Sequence, residues 1–348
     1  MYMANIVIWE TYCVLNCDYC MYTKDIRKIF SEKELSTVSG NVSKIKKFID
    51  NYAKKIQVIS LTWWEPTLFP DIIKTFYDKF DNKIIRVCTN GLLLNNELLD
   101  SFSPERLYFA VTLDWIDLED NLFRFKSQVM LDKIISNIDL LLNRWFSVEI
   151  LTVLSPQNML KYTKLIEYFE NKYHKYIENW KIWFIPIELV NYMNLDKFKI
   201  SDKMKSDLVL DLMSCKKKSI ILSRQKEYFD ELISYYSWNS VNTCGMYKRA
   251  LHLKYLGDSI RTKWSFNLYW CWSRWHLMMW TMNFNNSFDA SFILERRETK
   301  SVKLYFKESD SACKKCFDNR HYYWLILKNK LHNVPHILKK TIDLYHNN

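Results

Sequence analysis

The sequence predicts an α/β fold. Short runs of β-branched and aromatic residues alternate with amphipathic stretches through the first part of the 348-residue chain. Strands that are separated by helices in this way form right-handed βαβ units. They therefore build a parallel sheet, either open or curled into part of a barrel. Because 49% of the residues are hydrophobic, the chain can also bury a large core.

The predicted elements follow one another in a regular order. Six strands are predicted at residues 5–8, 56–61, 84–88, 107–113, 147–154 and 181–186. Helices are predicted between them at residues 42–54, 70–80, 95–101, 125–143 and 159–176. After Pro186, apolar residues recur with the spacing of a helix, and helices are predicted at residues 201–217 and 224–236. The sequence thus divides into an α/β core at 1–190, a helical connection at 191–240, a cysteine-bearing module at 241–320 and a helical tail at 321–348.

Charge and hydropathy narrow the class of protein. Fifty Lys and Arg against 39 Asp and Glu give a formal charge of +11, which would favour an acidic partner such as nucleic acid or an acidic peptide. No Arg-rich block with interleaved aromatics stands out, so we interpret the excess as solvated helix faces and do not expect nucleic acid as a partner. Without an apolar run of membrane-spanning length or a signal-peptide pattern, we expect a cytoplasmic protein. In that compartment the nine cysteines are better explained as metal ligands or catalytic groups than as disulfides.

Three cysteines directly follow the first predicted strand. Cys13, Cys17 and Cys20 have the spacing C-x3-C-x2-C. Three thiolates on one loop can hold three irons of a 4Fe–4S cluster and leave the fourth iron open to a substrate or cofactor. A zinc knuckle is the alternative, but it would need a fourth close Cys or His. After Cys20 the next Cys is Cys88, and no His comes before His174.

This run, with an aromatic residue at Tyr19, resembles the radical S-adenosylmethionine superfamily. The resemblance implies a partial (β/α)6 barrel of the TIM type. It also implies that the amino and carboxylate groups of S-adenosylmethionine chelate the open iron. One electron would then cleave the cofactor to methionine and a 5'-deoxyadenosyl radical, which abstracts a hydrogen atom from the substrate.

Further residues match that family in chain order, over about residues 4 to 190. Glu65 and Pro66 stand where the family has Gly-Gly-Glu-Pro, whose backbone and carboxylate receive the methionine amino group. Asn90 lies in a Thr-Asn-Gly turn after the third strand, and Asp114 follows the fourth strand, near the expected ribose. The resemblance thus implies cofactor contacts from Trp63, Trp64, Glu65, Asn90, Thr112 and Asp114.

Tryptophan replaces glycine at several of these positions. The chain has 4 glycines and 14 tryptophans, whereas an ordinary chain of this length has roughly 24 glycines. Trp63, Trp64 and Trp115 occupy family glycine positions, and Trp145 ends a predicted helix where a glycine cap is usual. Our hypothesis is that many of these residues are encoded by UGA in an organism that reads UGA as glycine. The alternative is a true tryptophan-rich relative that lacks the cofactor.

Some tryptophans are expected to be genuine because they lie in apolar contexts. These are Trp180, Trp183 and Trp324.

A second cysteine set lies in the predicted module. Cys244, Cys271, Cys313 and Cys316 could coordinate one 4Fe–4S cluster or one zinc ion. Behind a core of this kind the set resembles the auxiliary module called twitch, a reduced form of the SPASM module. Such a cluster would relay an electron or shape the substrate site. Cys88, on the third strand, is expected to be a buried core thiol.

The resemblance implies an oxidoreductase or maturase that acts on a peptide, a protein or a small molecule and receives electrons from a reducing donor protein. The alternative is a non-catalytic iron–sulfur or zinc protein on the same scaffold, which binds peptide or RNA.

Overall fold

A computed structural model of the chain gives the fold. It describes residues 2–7, 13–20, 42–43, 45–47, 49–50, 56–62, 65–187, 196–215, 218–237, 250–256, 265–269 and 278–283. The predictions for Trp63, Trp64, Trp324, the tail at 321–348 and the second cysteine set fall outside these residues.

The core is a parallel sheet of six strands that lie side by side in chain order. The strands are β1 (Tyr2–Val7), β2 (Ile56–Leu61), β3 (Ile84–Thr89), β4 (Leu107–Thr112), β5 (Val148–Leu154) and β6 (Trp180–Pro186). Most of their residues are buried, as expected for a parallel sheet with helices on its outer face. The predicted α/β fold is confirmed.

Three more strands extend the sheet beyond β1. They are β7 (Ala250–Leu256), β8 (Ser265–Tyr269) and β9 (Met278–Asn283). β7 pairs with β1 in parallel, whereas β8 and β9 continue in antiparallel order. The region predicted as a separate module therefore contributes strands to the core sheet.

Helices connect the successive strands. They are α1 (Pro70–Lys79), α2 (Asn96–Asp100), α3 (Gln128–Asn143) and α4 (Tyr162–Lys172). After β6 come α5 (Asp202–Cys215), α6 (Ile220–Arg224) and α7 (Lys226–Tyr236). α1 shows why these segments are helical, since Ile72, Ile73 and Phe76 form one apolar stripe that is buried. No helix in the described ranges is both long and apolar enough to cross a membrane.

The C-terminus of α3 has the hydrogen bonds of a Schellman motif. Phe146 N donates to Leu141 O at 3.0 Å, and Trp145 N donates to Leu142 O at 2.9 Å. This motif needs a left-handed residue, and Trp145 has φ 65°. Its indole is 61% exposed. The expectation of a glycine-type backbone at this helix end is confirmed.

The outer edge of β6 is covered by two side chains from the α6–α7 segment. Gln225 accepts from Ile182 N at 3.2 Å and donates to Ile182 O at 2.9 Å. The Tyr228 hydroxyl accepts from Phe184 N at 2.6 Å and donates to Phe184 O. The backbone N–H and C=O groups of Ile182 and Phe184 at this edge are thereby satisfied.

A group of charged side chains is buried on the sheet near the amino ends of β3, β5 and β6. Arg86 Nη2 lies 2.7 Å from Glu149 Oε2. Lys181 is the register partner of Glu149 on β6. Burial, and then the repulsion of Arg224, lowers the pKa of Lys181 to about 7.

Candidate cofactor site

The cysteine loop lies at the carboxyl edge of the sheet. Residues 13–20 follow β1, while Glu65, Asn90 and Asp114 follow β2, β3 and β4. Carboxyl ends of parallel strands share one edge, which is where ligands bind in α/β proteins. Asn90 and Asp114 are each hydrogen-bonded to the cysteine loop, and Glu65 is connected to it through Asn90.

Glu65 joins the ends of β2 and β3. Its Oε1 accepts from the hydroxyls of Thr67 and Thr89, each at 2.6 Å, and from Thr67 N at 3.2 Å. Its Oε2 accepts from Asn90 N at 2.7 Å. Burial raises the pKa of the carboxyl group, and these four hydrogen bonds oppose that shift. Since Oε1 already has three donors, Oε2 is the atom with capacity left for a ligand amine.

Asn90 connects β3 to the cysteine loop. Its Nδ2 donates to Cys13 Sγ at 3.7 Å, and its Oδ1 accepts from Leu92 N at 2.9 Å. The turn depends on Gly91, which has φ +84°; a β-carbon there would lie 2.9 Å from Val111 Cγ1. Only glycine meets both constraints without strain.

Asp114 connects the loop to β4 and β5. Its Oδ2 accepts from the Tyr19 hydroxyl at 2.6 Å, and its Oδ1 accepts from Val153 N at 3.0 Å. Burial raises the pKa of this carboxyl group, while Arg124 opposes the shift. Thr112, also predicted as a cofactor residue, is partly exposed at the end of β4.

The three thiols lie on one short loop but differ in environment. Cys13 is exposed, Cys20 is partly exposed and Cys17 is 7% exposed. Burial raises the pKa of the Cys17 thiol to about 12. Within the described ranges no three Cys, His, Asp or Glu side chains are arranged to hold a metal ion. The thiols would thus have to turn toward one another to share a cluster.

As a donor set, three thiols on one loop fit an iron–sulfur cluster. Cys13, Cys17 and Cys20 would hold such a group, and the Asn90 amide already donates to the first of these thiols.

The buried tryptophans Trp180 and Trp115 differ in whether their indole N–H groups have hydrogen-bond partners. Trp180 is buried, and its Nε1 donates to Tyr173 O at 3.2 Å, as expected of a genuine core tryptophan. Trp115 is 2% exposed, and its indole N–H is buried without a hydrogen-bond partner. The backbone at 115 is not left-handed, because Trp145 alone among the described non-glycine residues has a positive φ. Asn121 holds the Trp115 backbone instead, by bonds to its N and O at 3.0 and 2.6 Å.

Sequence reasoning missed several residues of the site. Thr67 and Thr89 hold the Glu65 carboxylate, and their places next to the Glu-Pro and Asn-Gly turns were a usable signal. Arg124, which contacts Tyr19 and Asp114, had no local signal, because its partners are distant in sequence.

Cys88 was wrongly expected to be a buried core thiol. It is partly exposed and accepts a hydrogen bond from Arg86.

Comparison with known proteins agrees with this geometry. Residues 7–169, a little under half of the chain, match the Radical SAM superfamily. Residues 7–169 are thus similar to a radical SAM superfamily domain. A search of curated proteins found no match.

Solved structures have a fold similar to that of this chain. Native anSMEcpe with bound AdoMet has a TM-score of 0.61 at 18% identity, over 90% of this chain and 86% of that chain. Native anSMEcpe with bound AdoMet and Cp18Cys peptide has a TM-score of 0.58 at 17% identity, over 100% of both chains. Streptococcus suis SuiB bound to precursor peptide SuiA has a TM-score of 0.54 at 12% identity, over 91% of this chain and 67% of that chain. The α/β partial barrel is thereby confirmed.

Proposed function

We propose that this chain is a radical S-adenosylmethionine enzyme that modifies a peptide. One observation carries the proposal: the three-cysteine loop lies at the same strand edge as Glu65, Asn90 and Asp114, and Asn90 and Tyr19 connect it to that edge. Cys13, Cys17 and Cys20 would hold a 4Fe–4S cluster with one open iron. When bound, such a cluster supplies the electron that cleaves S-adenosylmethionine to methionine and a 5'-deoxyadenosyl radical.

The residues of the chain would orient the cofactor. Glu65 Oε2 would accept the methionine amino group, since it has acceptor capacity left and is held rigidly by Asn90 N. Asp114 and Thr112 lie one strand further along, where the ribose would reach. Burial of both carboxylates excludes water and strengthens their hydrogen bonds to a ligand.

A peptide substrate is supported by two of the similar structures, which hold a Cp18Cys peptide and the precursor peptide SuiA. We further propose that Cys244, Cys271, Cys313 and Cys316 hold a second 4Fe–4S cluster or a zinc ion in a twitch-like module. Iron near eight atoms per chain would support two clusters, and about four with one zinc would support the mixed case.

The test is anaerobic reconstitution followed by a 5'-deoxyadenosine assay with a low-potential reductant. Cys17→Ala should abolish 5'-deoxyadenosine formation and lower iron by about four atoms. Cys215→Ala is the matched control, because Cys215 lies at the end of α5 and outside the loop. A chain that holds its clusters but forms no 5'-deoxyadenosine would support the non-catalytic iron–sulfur or zinc protein instead.

We also propose that many tryptophans are glycines in the cellular protein, encoded by UGA. The left-handed backbone of Trp145 and the unbonded indole of Trp115 support this. The reconstitution should therefore be repeated with glycine at positions 63, 64 and 115. UGG codons at these three positions in the gene would refute the idea.

A further inference from the structure

Arg124 is a buried residue that contacts both the cysteine loop and the carboxyl edge of the sheet. It lies in the segment between β4 and α3 and is buried. Its Nη1 donates to the Tyr19 hydroxyl and lies 3.8 Å from Asp114 Oδ2. The Tyr19 hydroxyl in turn donates to that same oxygen at 2.6 Å. We call Tyr19, Asp114 and Arg124 the inner clamp.

A second set of contacts holds the loop at the surface. Asp18 N donates to Phe123 O at 2.7 Å. The Asp18 carboxylate pairs with Lys126 at 3.3 Å and with Lys197 at 2.8 Å. Both lysines are largely exposed, and ion pairs of this kind contribute about 0–1 kcal/mol. The inner clamp differs in that its groups are buried, so that loss of Arg124 would leave the Asp114 carboxylate buried without its cationic partner.

The inner clamp also places a permanent positive charge beside the thiols. A guanidinium does not lose its proton in proteins. That of Arg124 bonds the hydroxyl of Tyr19, which lies between Cys17 and Cys20 in the loop. Three thiolates and a buried aspartate form a negatively charged group, and a buried cation stabilises each further negative charge added to it.

We propose that Arg124 is a positioning residue that anchors the cysteine loop through Tyr19 and makes the cluster held there easier to reduce. The second half rests on the proposed function, because it requires the cluster. Reduction adds one electron from an external one-electron donor, such as dithionite, to the cluster; no covalent bond forms or breaks. Arg124 favours that step because the added negative charge is close to its guanidinium.

The anchoring half is tested on the cluster-free chain, by hydrogen–deuterium exchange of a peptide that contains residues 13–20, followed by mass spectrometry. Backbone amide exchange does not depend on the ionisation of the thiols, which the loss of a nearby positive charge would also change. In Arg124→Met we expect the amides of this loop to exchange at least tenfold faster than in the wild-type chain. Lys126→Met, which removes an exposed charge from the same segment between β4 and α3, should change the rate less than twofold. An unchanged exchange rate in Arg124→Met would overturn the anchoring role.

The electrostatic half is tested on the reconstituted chain without S-adenosylmethionine, by a redox titration monitored by electron paramagnetic resonance. We expect the midpoint potential of Arg124→Met to be lower by at least about 59 mV, a tenfold change in a one-electron equilibrium. Lys126→Met should shift it by less than half of that, because solvent screens its charge. Arg124→Lys, which retains the charge, should stay near the wild-type value.

The double variant Arg124→Met with Asp114→Asn removes one charge of each sign and should also return toward the wild-type potential. A wild-type potential in fully loaded Arg124→Met would overturn the electrostatic role, as would an equal shift in the double variant. Neither test measures 5'-deoxyadenosine. A chain that forms none would therefore refute the proposed function, while the results of both tests could still be interpreted.

Discussion

Replacing Trp145 by glycine should stabilise the chain by roughly 0.3 kcal/mol, the difference between the central values of the terms below. A left-handed conformation costs an L-residue about 1–2 kcal/mol, and Trp145 has φ 65°. Two terms oppose the gain. The indole contacts the Tyr176 ring at 5.6 Å between centroids, which we value at about 0.5 kcal/mol because the indole is exposed. Glycine also gives the unfolded chain more freedom, at about 0.4–1 kcal/mol.

Alanine at the same position is the matched control. Trp145→Ala loses the Tyr176 contact but keeps the β-carbon in the left-handed backbone. We therefore expect Trp145→Gly to be more stable than Trp145→Ala by about 1 kcal/mol, with the wild-type chain between them.

Urea unfolding of the cluster-free chain, followed by circular dichroism, measures this difference as a change in midpoint at constant slope. If the glycine variant proves no more stable than the alanine variant, the strain argument at this helix end fails.

Three further predictions concern buried positions. Gly91→Ala should cost about 2–4 kcal/mol in urea unfolding, because its β-carbon would lie 2.9 Å from Val111 at φ +84°; equal stability would contradict the turn geometry. Glu65→Gln should cost about 1–3 kcal/mol, because an amide cannot accept from both Thr89 and Asn90 N; it should also weaken S-adenosylmethionine binding in equilibrium dialysis. Lys181 has a folded pKa of about 7, below its unfolded value, so the unfolded chain binds more protons above pH 7. The wild-type chain should therefore gain about 1.4 kcal/mol per pH unit relative to Lys181→Met between pH 7 and 9, and a pH-independent difference would exclude the lowered pKa.

The strands and most of their connecting helices could be predicted because local patterns encode them. The predicted strand at 56–61 has the observed bounds, Ile56–Leu61, since a run of β-branched residues there is buried on both faces. The loop of Cys13, Cys17 and Cys20 was equally visible, because its ligands are close in sequence.

The rest depends on contacts between distant parts of the chain. Pairing of β7 with β1 joins residues separated by more than two hundred positions, and no local period encodes it. Arg124 and Lys181 look like ordinary surface cations in the sequence, yet both are buried. Cys88 contacts Arg86 and Ser60 rather than lying in a wholly apolar layer, and the local pattern does not signal whether such a thiol is buried or exposed.

The covered edge of β6 limits how a peptide could approach this chain. Many proteins bind an extended peptide as one more strand of a sheet, through the free N–H and C=O groups of an edge. On β6 those groups of Ile182 and Phe184 are already bonded to Gln225 and Tyr228. A peptide that reaches the cysteine loop must therefore be recognised through its side chains or at another part of the surface. The same cover also protects β6 from pairing with the edge of a second chain.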